Sequence, residues 1–223
     1  MILGNSQNSS PLPPALWPKA SLEKFPADHG SFAPGRAALS VKSQLRLAYL
    51  CSFSKPPEDR PIYKAICEAC PTRILEIGIG SGQRALRMIE VAALCRPAAQ
   101  IRYTGIDLFE ARSAGDGPGL SLIQAHRALK TTGALIRLIP GDLCTALARS
   151  ANSLPGNDLI VIAGRRDPEA MRRAWFFLPR MLKADSQLFV QEGGEDGSWG
   201  AFRRLTFAEV DQLGGTIRLG RAA

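Results

Sequence analysis

Short apolar runs alternate with segments of helical period from residue 73 onward. The runs predict strands at 74–77, 101–108, 134–139, 158–163, 187–191 and, last, 216–219. Between them, the period predicts helices at 83–95, 120–130, 143–154, 168–182 and 206–214. Strands that alternate with helices pair in parallel, with helices on both faces of the sheet. The sequence therefore predicts an α/β fold with a doubly wound, mostly parallel sheet.

The chain before this alternating region has a different character. Prolines recur from Pro11 to Pro34 and break any helix or strand there, so we predict an extended, proline-rich arm at 1–35. Helical patterns follow at 37–54 and 61–70. We therefore divide the chain into this arm, a helical segment at 36–72 and one α/β domain at 73–223.

The composition is that of a globular protein, with 223 residues, 45% of them hydrophobic and 22% charged. No apolar run reaches the ~18 residues that a membrane span requires. The first residues lack the basic and apolar pattern of a secretory signal. Five cysteines are too few for a disulfide framework and cannot all pair. We expect a cytoplasmic protein with no membrane partner.

The chain carries a formal net charge of +8, with 21 arginines and 7 lysines. Such a charge attracts anions, nucleic acid included. The arginines are spread along the chain, however, so a general preference for arginine explains the charge equally well. We expect a small-molecule substrate rather than a nucleic acid, and the sequence does not predict an oligomeric state.

The most informative segment joins the first predicted strand of the α/β domain to its helix, at residues 74–83. Gly78, Gly80 and Gly82 let the main chain turn sharply and approach a ligand. Position 83 is glutamine, where the dinucleotide-binding pattern has its third glycine. Glu76 disfavours a diphosphate and suits an ammonium group, and Asp107, at the end of the next strand, can accept ribose hydroxyls. S-adenosylmethionine carries both groups.

These residues resemble motif I of the class I S-adenosylmethionine-dependent methyltransferases, a Rossmann-like family, which reads acidic-x-Gly-x-Gly-x-Gly. The resemblance extends over residues 73–191. It implies that Asp107 holds the ribose and that Asp142, after the third strand, faces the adenine amino group. The complete set of cofactor-binding residues that we predict is Glu76, Gly78, Gly80, Ser81, Gly82, Asp107, Leu108, Asp142 and Leu143.

The segment after the fourth strand fits this family less well. It resembles the acidic-Gly-x-His segment of some small-molecule methyltransferases, with Gly164 and Glu169 in register. Ala163 replaces the carboxylate and Arg166 the histidine, so the oxygen ligands of a divalent metal are missing and we predict no metal. No catalytic residue is assigned. The candidate bases are Asp167, Glu192, Glu195 and Asp196.

Three functions stay open on the sequence alone. The first is methyl transfer from S-adenosylmethionine to an unidentified acceptor. The second is a protein that binds S-adenosylmethionine without turnover, as a scaffold or sensor, because the expected acidic residue and histidine are replaced. The third is a nicotinamide-dependent oxidoreductase, which Glu76 and Gln83 oppose. The pair Cys67 and Cys70 lacks the further ligands of a zinc site, and we expect both to be buried helix residues.

Overall fold

The computed structural model describes residues 39–164, 167–193 and 199–220, all within one unit of the chain. The predicted arm at 1–35 lies outside the described residues, as do Arg165, Arg166, Glu195 and Asp196. The proposed division into arm, helical segment and α/β domain therefore stays a prediction.

The described chain contains seven α-helices and six β-strands. The helices are Val41–Ser52 (α1), Arg60–Ala69 (α2), Gln83–Ala93 (α3), Leu122–Lys130 (α4), Leu143–Ser150 (α5), Pro168–Ala174 (α6) and Phe207–Gly220 (α7). The strands are Arg73–Ile77 (β1), Arg102–Asp107 (β2), Leu135–Pro140 (β3), Asn157–Ile162 (β4), Leu182–Gly193 (β5) and Trp199–Leu205 (β6). None of the helices in the described part of the chain is both long enough and apolar enough to cross a membrane.

All six strands form one sheet in the order β3-β2-β1-β4-β5-β6. The first five strands in the chain pair in parallel, and β6 pairs antiparallel with β5. This is the doubly wound, mostly parallel sheet that the sequence predicted. The chain leaves β1 toward β2 on one side and returns to β4 on the other. Ligands of such sheets bind at this switch point, beyond the carboxyl ends of the strands.

Hydrophobic side chains cover both faces of the sheet. Successive residues of β1 point to opposite faces, so Ile74 packs with one cluster and Leu75 with the other. The first cluster contains side chains of α2, α3 and α4, such as Met88. The second contains side chains of α5, α6 and α7, such as Leu147. The central strands are thus buried on both sides, which explains their continuous apolar runs.

The C-terminal region differs from the prediction. The strand predicted at 216–219 is wrong, because α7 continues to Gly220. The sheet closes instead with β6, which lies before α7 and was not predicted. Gly214 does not end the helix. A Cβ atom there would lie 2.8 Å from the Trp175 carbonyl oxygen, so the glycine allows α7 to pack closely against its neighbour.

The helix predicted at 168–182 also differs from the structure. It divides into α6 and a short 3-10 turn at Leu178–Met181, with Pro179 inside the turn. The five cysteines all lie within the described residues, are half-buried and form no disulfide bond there. Cys67 lies on α2, whereas Cys70 follows the helix in a left-handed conformation, with φ of 48°.

Candidate functional site

A cavity of about 480 Å³ lies at the carboxyl ends of β1, β2, β3 and β4. This volume is in the range of sites for small molecules, roughly 300–1,000 Å³. The structure places seven of the nine predicted cofactor-binding residues around it: Gly78, Gly80, Ser81, Asp107, Leu108, Asp142 and Leu143. The other two, Glu76 and Gly82, are not among its lining residues. The role of all nine as ligands of a cofactor stays a prediction.

The glycine loop borders the cavity with its main chain. Gly78, Gly80 and Gly82 have φ values of 88°, 59° and 75°, in the left-handed region that favours glycine. Gly78 also lies against β4, since a Cβ atom there would be 2.2 Å from the Ala163 carbonyl oxygen. The Gly78 N–H donates to the Ile106 carbonyl at 2.8 Å. The loop thus requires glycine at position 78 for close approach as well as for conformation.

Glu76 lies beneath the cavity and is fully buried. Its Oε1 accepts a hydrogen bond from Nε of Arg84 at 2.7 Å, and its Oε2 accepts one from the Tyr103 hydroxyl. The carboxylate therefore binds a cation of the protein itself. The contact of Glu76 with a ligand ammonium, which the sequence suggested, stays a prediction.

Arg84 connects Glu76 to the cavity. Its guanidinium donates to Glu76, to the Gly78 carbonyl at 2.8 Å and to Oδ1 of Asp59 at 3.5 Å. The arginine stands on the first turn of α3, eight residues after Glu76, and it lines the cavity. We call Asp59, Glu76, Arg84 and Tyr103 the buried charge network. Sequence reasoning missed Arg84, although a basic residue so soon after a glycine loop was a visible signal.

Burial shifts the ionisation of this network. It raises the pKa of Glu76 and of Asp59, because both carboxyl groups lose contact with water. The guanidinium of Arg84 opposes both shifts. Burial alone would lower the pKa of Arg84, but the two carboxylates outweigh it and raise that pKa. One arginine thus compensates two buried acids beside the glycine loop.

Asp107 ends β2 and uses both of its oxygens. Oδ2 accepts the Gly80 N–H at 2.9 Å, and Oδ1 accepts the Phe109 N–H at 3.2 Å. Nη2 of Arg112 lies 2.6 Å from each oxygen. Arg112 also donates to the Asp116 carbonyl at 3.0 Å and lines the cavity. The carboxylate predicted to hold a ribose is thus already covered by an arginine that sequence reasoning did not identify.

Asp142 stands at the beginning of α5, where its Oδ1 accepts the N–H groups of Cys144 at 2.9 Å and Thr145 at 3.0 Å. Hydrogen bonds from Thr145, first from its side chain and then from its N–H, lower the pKa of Asp142, and the Cys144 N–H adds to this effect. The carboxylate thus caps α5 and also lines the cavity.

Carboxylates dominate the charge of the cavity wall. The described lining residues include two guanidiniums, those of Arg84 and Arg112. They also include six carboxylates, at Glu58, Asp59, Asp107, Asp116, Asp142 and Asp167. The chain as a whole carries a formal charge of +8, so the excess of acidic residues at the cavity is opposite in sign to the net charge of the chain. Such a wall favours a cationic ligand.

The wall beyond β4 differs from the rest. Ala163 and Gly164 follow the strand, and the Gly164 N–H donates to Oε1 of Gln191 at 3.0 Å. Asp167 caps α6 through the N–H groups of Glu169 and Ala170. Among the candidate bases within the described residues, Asp167 lines the cavity and Glu192 does not. In the same part of the chain, no three His, Cys, Asp or Glu side chains lie together as metal ligands would.

Comparison with known proteins gives structural similarities alone. No family model and no curated protein matches the chain. One similar structure is a TehB-like S-adenosylmethionine-dependent methyltransferase from Corynebacterium glutamicum. It is 18% identical, the match covers 79% of each chain, and the TM-score is 0.45.

Two further similar structures were solved with bound nucleosides. The trans-methyltransferase CalH, in complex with S-adenosylhomocysteine, is 16% identical over 60% of this chain and 35% of its own, with a TM-score of 0.44. Fibrillarin from Aeropyrum pernix, with natively bound S-adenosyl-L-methionine, is 18% identical over 69% of this chain and 55% of its own, with a TM-score of 0.43. The ligand of the present chain therefore has to be inferred from its own residues and not from these similarities.

Proposed function

We propose that the cavity binds S-adenosylmethionine and that the protein transfers the methyl group of this cofactor to a small-molecule acceptor. The observation that carries the proposal is the wall of the cavity, where the main chain of a glycine loop lies beside the carboxylate of Asp107, and Asp142 follows the next strand of the sheet. Bare peptide groups suit close approach of a ligand, and an excess of acids suits a sulfonium cation. The excess of acids disfavours a diphosphate.

In this proposal each of three residues binds a different part of the ligand. Asp107 accepts the ribose hydroxyls, and Asp142 accepts the adenine amino group. Arg84 is the cation beside the glycine loop, so it is suited to the carboxylate of the methionine part. Glu76 acts through Arg84, which it holds in place, and not through the ligand.

The bound cofactor would supply a methyl group on a sulfonium that is already a good leaving group. The protein then has to align the acceptor and exclude water. A base is required only where the acceptor must lose a proton, and Asp167 is the candidate among the described lining residues. Ala163 offers no ligand to a divalent metal at the end of β4, so we propose transfer without a metal.

Calorimetry tests the ligand, and a methyl-transfer assay tests the reaction. Purified protein is titrated with S-adenosylmethionine, S-adenosylhomocysteine and NAD. Binding of the first two but not of NAD supports the proposed site. Tritiated S-adenosylmethionine is then offered with panels of phenols, amines, thiols and carboxylic acids. Binding of both sulfur nucleosides with no transfer to any acceptor would instead support a scaffold or sensor.

Replacing Asp107 with alanine is expected to weaken binding of S-adenosylhomocysteine about 10- to 100-fold, because charged hydrogen bonds to the ribose contribute about 1.5–3 kcal/mol. Calorimetry on the folded variant measures this change. Glu58→Gln is the matched control, because it removes another carboxylate of the wall. It should change the affinity less than threefold. Equal affinity of Asp107→Ala and the unmodified protein would remove Asp107 from the site.

Replacing Arg112 with alanine is expected to tighten binding of S-adenosylhomocysteine about three- to tenfold. In the structure Arg112 occupies both oxygens of Asp107, so a ribose must displace it, at a net cost of about 1 kcal/mol because hydroxyl donors replace the guanidinium. Stopped-flow fluorescence should show that the association rate rises. Arg112→Lys keeps the charge but loses the second contact, from Nη1 to the Asp116 carbonyl, and should lie between the two. Weaker binding by the alanine variant would show that Arg112 holds the ligand instead.

A further inference from the structure

A second cavity, of about 330 Å³, lies at the opposite end of the sheet from the proposed cofactor site. It is formed by the amino-terminal parts of β1, β2 and β3 and by the turn that precedes β4. Three arginines from three different strands line it: Arg73, Arg102 and Arg137. We call this cavity the arginine groove. The sequence analysis noted the spread of arginines along the chain but did not bring these three together.

The register of the sheet places the three arginines on one face. Arg73 of β1 pairs with Arg102 of β2, which makes them direct neighbours. Arg102 pairs with Leu135, and Arg137 lies two residues further along β3, beside Thr104. Because side chains two residues apart share a face, all three guanidiniums project from the same side. Like charges on adjacent strands repel, so this arrangement costs stability unless an anion compensates it.

The described chain supplies no such anion to the groove. None of the residues described as lining it is acidic. Arg73 donates to the Pro155 carbonyl at 2.9 Å, and Arg137 donates to the Ser153 hydroxyl at 3.3 Å, so both meet neutral acceptors. Arg102 donates its main-chain N–H to the Thr72 carbonyl at 2.7 Å, but its guanidinium has no hydrogen-bond or ion-pair partner within residues 39–164, 167–193 and 199–220.

The nearest acid is already engaged. The carboxylate of Asp158 accepts the main-chain N–H groups of Thr72 and Arg73 and the Thr72 hydroxyl, and it pairs with the Lys183 ammonium. It does not line the groove. The contrast with the cofactor cavity is clear, because Arg84 and Arg112 there are both paired with carboxylates. The arginine groove therefore combines three adjacent cations, and no acidic side chain among the described residues lines it.

We propose that the arginine groove binds a phosphate group. A guanidinium presents parallel N–H donors that match the oxygens of a phosphate, and several of them can compensate its two charges. The hydroxyl of Thr104 lines the same groove and adds a further donor. Leu135 is 52% exposed on this face and offers an apolar wall to the remainder of the ligand. The phosphate belongs to a small phosphorylated molecule or to a nucleic-acid backbone. This proposal does not depend on the identity of the cofactor.

The test uses the complete chain with inorganic pyrophosphate and, separately, a 12-nucleotide single-stranded RNA. Calorimetry is performed with the unmodified protein and with Arg102→Ala and Arg137→Ala. Each variant is expected to weaken binding at least about tenfold, since each removes charge-assisted hydrogen bonds to phosphate. Arg127→Ala is the matched control, because Arg127 is an exposed arginine of α4 away from the groove. It should change the affinity less than twofold.

The outcomes separate the two sources of phosphate. Binding of pyrophosphate that both groove variants weaken supports a small phosphorylated ligand. Binding of RNA alone, with the same loss in the variants, supports a nucleic-acid backbone. Failure of both probes to bind at millimolar concentration would overturn the proposal, and so would an equal loss in Arg127→Ala, because binding would then be unspecific attraction. Thermal unfolding and S-adenosylhomocysteine titration of each variant show that the fold and the other cavity are unchanged.

Discussion

Replacing Arg84 with methionine is expected to lower the free energy of unfolding by about 3–5 kcal/mol, because it leaves buried carboxylates without their cation. Methionine keeps much of the volume of the side chain but none of its charge. Glu76 is fully buried, and Asp59 is nearly so. Both bind the same guanidinium. Urea unfolding followed by circular dichroism measures the change, which is a large part of the stability of an ordinary domain.

A surface pair provides the matched control. Arg46 and Glu90 form an ion pair of the same length, 2.7 Å, but their side chains are 46% and 38% exposed. Arg46→Met should therefore cost at most about 1 kcal/mol. The double variant Arg84→Met/Glu76→Gln should recover part of the loss, because the amide carries no charge to compensate. A loss in Arg84→Met no larger than that in Arg46→Met would show that the buried charge network contributes little to stability.

The pH dependence of this loss has a definite sign. Burial raises the pKa of Glu76 and Asp59 above their unfolded values, so the folded protein holds protons that the unfolded chain releases. Such groups destabilise the fold as the pH rises from the unfolded pKa through the folded one. Without Arg84 these pKa values rise further. The deficit of Arg84→Met should therefore be smaller at pH 5 than at pH 8, while the deficit of Arg46→Met stays constant.

The sequence predicted those strands of the sheet that are buried on both faces. β1, β2 and β4 are buried over most of their length, and each is followed by a segment with helical period. β6 lacks such a buried run. Phe202 in its centre is buried, but Arg203 and Arg204 follow it and interrupt the apolar pattern. The segment 216–219 has β-branched residues but becomes part of α7, since β6 already pairs with β5 at that edge of the sheet.

The candidate site could be predicted where a residue's position follows from its strand. Asp107 and Asp142 come directly after parallel strands, whose carboxyl ends meet at one edge, and both line the cavity. The partners of the acids could not be predicted in this way. Arg84 reaches Glu76 from the next helix, and Arg112 returns to Asp107 from a loop. Such pairs depend on distances in the folded chain, which periodicity does not contain.

The glycine loop gives the second large effect. Replacing Gly78 with alanine is expected to cost about 2–5 kcal/mol of stability, because two penalties coincide. The residue has φ of 88°, where an alanine is strained, and the added methyl carbon would lie 2.2 Å from the Ala163 carbonyl oxygen. That oxygen belongs to the main chain after β4, so it cannot move without separating β1 from β4. Urea unfolding should show the loss directly.

Gly80 is the control that separates strain from collision. Its φ of 59° is also left-handed, but a Cβ atom there would meet no other atom within 4 Å. Gly80→Ala should therefore cost about 1–2 kcal/mol from strain alone. Because Gly80 lines the cavity, its methyl group should still weaken S-adenosylhomocysteine binding about tenfold if the ligand rests on this main chain. Equal loss of stability in the two variants would contradict the collision at Gly78. Unchanged affinity in Gly80→Ala would place the ligand away from the loop, since a methyl group in a close contact cannot be accommodated without cost.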